Sequence, residues 1–183
     1  MKQSELIHDL SERTKRLIDR ANEYMHNDVS LLNQRPEENA WSVLECLEHL
    51  NLYGDFYLPE IAHRIHSAKK IEGDPDFKSG WFGERTVTGM LPKEDKVSKM
   101  RTFKNKTPNP SALSIATIDR FIEQQETMLR LLQEAKNVRL NRVKTDITLP
   151  LIRFYLGTTL RFVIYHNQRH LWQADRALRL LEA

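Results

Sequence analysis

The chain has 183 residues, with 28 Lys+Arg against 25 Asp+Glu, and is 40% hydrophobic and 29% charged. That balance fits one globular domain and argues against a disordered or collagen-like chain. No run approaches the roughly 18 uninterrupted apolar residues of a spanning helix, so no membrane role is expected.

Residues 3–27 place Leu6, Leu10, Leu17, Ala21 and Tyr24 at three- and four-residue steps, which predicts a long amphipathic helix. Asn27 to Ala40 carries Pro36 and several capping residue types and reads as a connection. A second helix is predicted from near Trp41 to about Ala68, with Val43, Leu44, Leu47, Leu50, Tyr53 and Tyr57 as its stripe. Pro59 falls inside it and predicts a kink or a break.

Residues 69–110 hold four of the six glycines, four of the seven prolines, eight lysines and two arginines against six acidic residues. A stretch this long is functional, mobile or partly structured. A short helix is expected near 93–100, and Ser111 is a suitable cap for the next helix. That third helix, about 112–136, buries Ile115, Ile118, Phe121, Ile122, Met128, Leu129 and Leu132. A turn around 137–150 follows, with a short helical lead-in at 149–153 as an option. The fourth helix covers about 154–182, with Val163, Ile164, Ala174, Ala177, Leu178 and Leu181 on its apolar side. No alternating strand of useful length is visible. Four long helices with one apolar stripe each predict an all-α four-helix bundle in a single domain over 1–183. The long second connection predicts a crossover between the second and third helices.

The fourth helix reads Tyr165-His166-Asn167-Gln168-Arg169-His170-Leu171-Trp172-Gln173. His166 and His170 are four apart and project from one helix face, as two ligands of one metal ion would. Gln173 lies near the same face. The pair sits in an apolar stretch, where unpaired polar rings are costly to bury. The bland alternative is two core histidines bonded to carbonyls or carboxylates. In WSVLECLEHL on the second helix, His49 lies on or beside the apolar stripe and is a candidate third ligand.

WSVLECLEHL followed much later by HNQRHLWQ resembles the DinB-like superfamily, which includes the YfiT-like metal-dependent hydrolases. Trp41, His49, His166 and His170 match its pattern, with Gln173 at a frequent glutamine position. The resemblance spans the chain in helix order and length. It implies an up-down-down-up bundle and one divalent ion, zinc or nickel, held by His49, His166 and His170, with an open coordination position. It further implies transfer of a low-molecular-weight thiol such as bacillithiol or mycothiol to an electrophile, or hydrolysis. A non-catalytic metal-binding stress-response protein of the same fold is the rival reading. Homodimers through a helix face fit such bundles.

Other residues are candidates for supporting roles. Glu45, one turn before His49, is placed to orient its imidazole, although an exposed helix glutamate is the plainer reading. Tyr53, one turn after His49, is placed to line a pocket or to pack. Gly80-Trp81-Phe82-Gly83-Glu84-Arg85 suits a lid whose Arg85 grips a carboxylate, while the simpler reading has Trp81 and Phe82 plugging the bundle end. The run Lys93 to Lys106 reads as a solvated basic loop, and His8, His26, His63 and His66 form no constellation.

The remaining signals bound partners and location. Positive charge is scattered among acids, unlike the dense patch of a nucleic-acid module, so the expected partner is a small molecule or thiol. Cys46, the single cysteine, excludes an internal disulfide framework and reads as a small core residue. The N-terminal stretch has no apolar core of signal-peptide type, so a cytoplasmic protein is expected.

Overall fold

The computed structural model describes residues 1–91, 104–109 and 113–183. The predicted helix over 93–100 and the Ser111 cap lie outside the described residues. The helices are α1 (Gln3–Tyr24), α2 (Val29–Asn33), α3 (Val43–Ser67), α4 (Trp81–Thr88), α5 (Ile115–Ala135) and α6 (Leu156–Glu182). A 3₁₀ turn, Lys104–Lys106, and two short strands, β1 (Lys144–Asp146) and β2 (Arg153–Tyr155), complete the described elements.

Four long helices carry the core. The stripe residues predicted for α1 and α3 are all buried, as are Ile118, Phe121, Met128 and Leu132 of α5 and Val163, Ile164, Ala174 and Leu178 of α6. Side-chain contacts fix the relative directions. Gln3 at the start of α1 donates to the Val138 carbonyl just past the end of α5, 2.9 Å, so these two run antiparallel. Arg13 reaches Gln168 and Arg20 reaches Asp175, so α1 and α6 run parallel. Asn51 meets Thr117 and His66 meets Glu134, so α3 and α5 run parallel. His49 faces His166 while Tyr57 lies beside Phe162, so α3 and α6 run antiparallel. The helices α1, α3, α5 and α6 therefore run up, down, down and up. Parallel neighbours cannot be joined by a hairpin, which is why a long crossover separates α3 from α5.

Ser42, not Trp41, caps α3. Its Oγ accepts from the Glu45 amide at 3.1 Å and its own amide donates to Glu45 Oε2 at 2.9 Å, a reciprocal capping box. The helix runs through Pro59 without a break, so of the kink or break expected there the break does not occur. Pro59 is exposed, so the carbonyl it leaves unpaired faces solvent. At Gly54 the missing Cβ leaves room for the Gln124 amide of α5, which lies over α3 and donates to the Asn51 carbonyl at 3.1 Å.

Two segments depart from expectation. The turn region folds as an antiparallel hairpin, with Lys144 opposite Tyr155 and Asp146 opposite Arg153, and there is no helical lead-in at 149–153. Three-residue strands with one inward residue each, Thr145 and Phe154, are too short to show a period of two. The Gly80–Arg85 stretch starts helix α4. Arg161 of α6 bonds Glu84 Oε1 at 2.9 Å and Ser79 Oγ at 2.9 Å, while Val87 is buried. Trp81 is 78% exposed and so does not plug the bundle. Among the described residues no helix is long and apolar enough to cross a membrane.

Candidate metal centre

His49 occupies the buried stripe of α3 between Cys46 and Tyr53. The antiparallel α6 brings His166 and His170 against it, one turn apart on one face. Their ring nitrogens lie within 4.8 Å of one another, and all three residues are buried, at 2%, 7% and 8% exposure. His49 Nε2 is 3.4 Å from His166 Nε2. The edge of a tetrahedron around an ion bound at about 2.1 Å by imidazole nitrogens is about 3.4 Å.

The hydrogen bonds decide which nitrogens carry protons. His49 Nδ1 donates to the Lys106 carbonyl at 2.7 Å. His170 Nδ1 donates to Gln173 Oε1 at 3.1 Å. Both acceptors are neutral oxygens, so each neutral ring keeps its proton on Nδ1 and a bare lone pair on Nε2. Burial lowers all three imidazoles. His49 falls to about 4, pushed down by burial and by the Lys106 ammonium against the opposing carbonyl bond. His166 and His170 are held well below the ordinary range by burial first and then by neighbouring imidazoles and Arg169. Three neutral rings facing one another are the protonation state a divalent ion requires.

Aromatic rings wall the cluster. Trp41 lies 4.8 Å from the His49 ring and 5.8 Å from His170. Tyr53 lies 4.9 Å from His49 and 4.6 Å from His166, and burial pushes its hydroxyl up to about 12. Phe162 stacks on His166 at 5.8 Å.

The other sequence candidates divide. Tyr53 and Gln173 stand at the cluster, as placed from the sequence. Glu45 does not orient His49 and is not exposed. Its carboxylate is buried, accepts from Arg35 Nε at 2.8 Å, and closes the α3 cap. Burial works to raise it, and the Arg35 and Ser42 bonds outweigh that and hold it low. Trp81 and Arg85 are exposed on α4, whose described contacts go to the first turns of α6. Cys46 is buried and its thiol is pushed up by burial, as befits a small core residue. Sequence reasoning missed Lys106, whose carbonyl positions His49, and Phe162. Lys106 looked like one more lysine in a basic loop, and a backbone carbonyl leaves no trace in sequence.

A parallel-and-antiparallel bundle with three buried imidazoles converging from two of its helices defines a class: four-helix proteins built around a group that can hold one metal ion. The model of the DinB superfamily matches residues 7–174, and the chain belongs to that superfamily. No curated protein and no solved structure matches the chain.

Proposed function

We propose that this protein is a metal-dependent enzyme that holds one divalent ion, zinc or nickel, on His49, His166 and His170 and transfers a low-molecular-weight thiol to an electrophilic substrate. The observation that carries the reading is the pair of Nδ1 bonds to neutral oxygens, which leaves Nε2 lone pairs facing inward at His49 and His170. A bound divalent ion lowers the pKa of a coordinated thiol or water and polarises a carbonyl. Lys106 and Gln173 hold the imidazoles in one tautomer. Trp41, Tyr53 and Phe162 exclude water and offer an apolar wall to the electrophile.

Thiol transfer is favoured over hydrolysis by what surrounds the rings. Among the described residues no carboxylate is hydrogen-bonded to His49, His166 or His170. Attack by water is helped by a nearby base that removes its protons. An ion held by the three histidines would supply a thiol's sulfur as thiolate, its one proton released to solvent, so attack by that sulfur would call for no carboxylate base at the rings.

The test is metal content of protein from its native host, followed by turnover with small thiols and electrophiles, esters and amides. One zinc or nickel per chain with thiol-dependent consumption of an electrophile is expected. Metal without turnover on any of these would overturn the catalytic part and leave a metal-binding protein. Absence of metal, with no uptake of zinc or nickel in vitro, would overturn the whole.

A further inference from the structure

Lys106 does more than offer its carbonyl to His49. Its side chain folds back so that the ammonium donates to the Leu52 carbonyl and lies 5.4 Å from the centre of the Tyr53 ring and 6.0 Å from that of Phe56. The same Tyr53 ring touches His49 and His166. A half-buried ammonium normally meets a carboxylate. This one is held by a carbonyl and two π faces, and no carboxylate pairs with it among the described residues. Asp55, the acid acting on it from a distance, is already engaged by Arg120 and Gln124. An ammonium has three N–H donors, and the Leu52 carbonyl takes one.

The wall of the cluster repeats the pattern. The acceptors on His49 and His170 are a carbonyl and an amide oxygen, so they do not offset a dication's charge. Arg169 stands buried beside His170, and its charge reaches both His166 and His170. Among the described residues, the groups that accept from these rings bring no negative charge to a dication.

We propose that the small molecule taken by this centre carries a carboxylate a few atoms from its sulfur, and that the Lys106 ammonium is the group that reads it. The inference rests on the thiol reading above and names its substrate class: an acidic thiol. Lys106 is a specificity-determining residue here, since its ammonium meets the substrate and not the reacting sulfur.

The experiment uses cobalt(II)-loaded protein, titrated with 3-mercaptopropionate and with the neutral 3-mercaptopropanol and followed by the sulfur-to-cobalt absorption band. A Kd about tenfold lower for the acid is expected, the size of one charge-assisted hydrogen bond at a partly buried site. Lys106→Met should bring the two within about twofold, through the acid alone, and Lys106→Arg should retain the preference. Equal binding by the unaltered protein overturns the inference without needing any variant. So does a preference that survives in Lys106→Met, because a carboxylate that merely chelates the ion keeps its advantage there. Protein that takes up no cobalt overturns the thiol reading and this inference together, whereas loaded protein blind to the carboxylate overturns this inference alone.

Discussion

Two seams of the bundle bury polar groups, and they do so in opposite ways. Along α1 the polar side chains are closed pairs. The Gln3 amide donates to carbonyls at the end of α5 and accepts from the Leu140 amide at 3.1 Å. The Tyr24 hydroxyl donates to Asp175, which also receives Arg20. Each donor there has an acceptor, so these groups cost little to bury and call for no ligand. Between α3 and α6 the outer nitrogens of His49 and His170 are satisfied, and the inward His49 Nε2 faces His166 Nε2 across 3.4 Å. Two Nε2 lone pairs, those of His49 and His170, turned toward a third ring nitrogen in a buried space make an unfinished network. The difference separates a structural polar seam from a binding site more sharply than burial does.

The comparison breaks most visibly by substitution. His49→Ala, His166→Ala and His170→Ala should each cut bound metal from one per chain to about a tenth or less at stoichiometric supply, as loss of one of three ligands removes most of the affinity. Tyr24→Phe, on the other seam, should leave metal content unchanged and cost about 1–2 kcal/mol of unfolding free energy. Metal analysis and denaturant unfolding of the same preparations read both. Metal retained by the alanine variants would put the two seams in one class.

The next largest effect is in pH. The unfolded His49 imidazole takes its proton near 6.5, while the folded one, kept neutral by burial, waits until about 4. Below 6.5 the unfolded chain therefore binds more protons than the folded one. Stability of the metal-free protein falls as pH drops from about 6.5 to about 4 and levels off below. At about 1.4 kcal/mol per unit, His49 alone contributes a loss of about 3 kcal/mol. Thermal melts of metal-free protein across this range measure it. Saturating metal should hold the melting temperature up further into acid, until protons displace the ion. A flat profile between 6.5 and 4 would show that the rings are not neutral by burial.

What the sequence made legible follows from the same physics. Apolar stripes of 20 or more residues set the four long helices, because that period repeats often enough to stand out. His166 and His170 were legible through their spacing within one helix. His49 was placed on the right face of α3, but only helix packing brings it to the other two. The hairpin was invisible because Thr145 and Phe154 are single inward residues, and α4 because Gly80 and Gly83 flank its aromatic start. Gly83 is there for contact: a Cβ would lie 2.7 Å from the Thr158 methyl. Glu45 was misread because an N3 glutamate closing a cap and a glutamate one turn before a ligand are the same letter.

A subtler variant separates positioning from ligation. Gln173 touches His170 through one bond at 3.1 Å, and it fixes a tautomer without joining the triad. Gln173→Leu should weaken metal affinity about 10- to 100-fold while leaving one ion per chain at saturation. Competition with a chromophoric chelator measures the shift. An unchanged affinity would mean that helix packing alone orients His170.

The smallest expected effect belongs to Glu45, one turn from His49 and yet part of the closed kind of network. Its carboxylate receives the Ser42 amide and the Arg35 guanidinium, and Arg35 is itself half out in solvent. Glu45→Gln keeps the shape and most of the cap and loses the charge of the ion pair. It should cost about 1 kcal/mol with no change in metal affinity, as read by unfolding and chelator competition together. A drop in affinity to match Gln173→Leu would move Glu45 into the unfinished network, where the sequence alone had allowed it to stand. The geometry argues otherwise. Among the described residues the oxygen that meets His49 Nδ1 is the Lys106 carbonyl, and a ring nitrogen with one proton has no second bond to give.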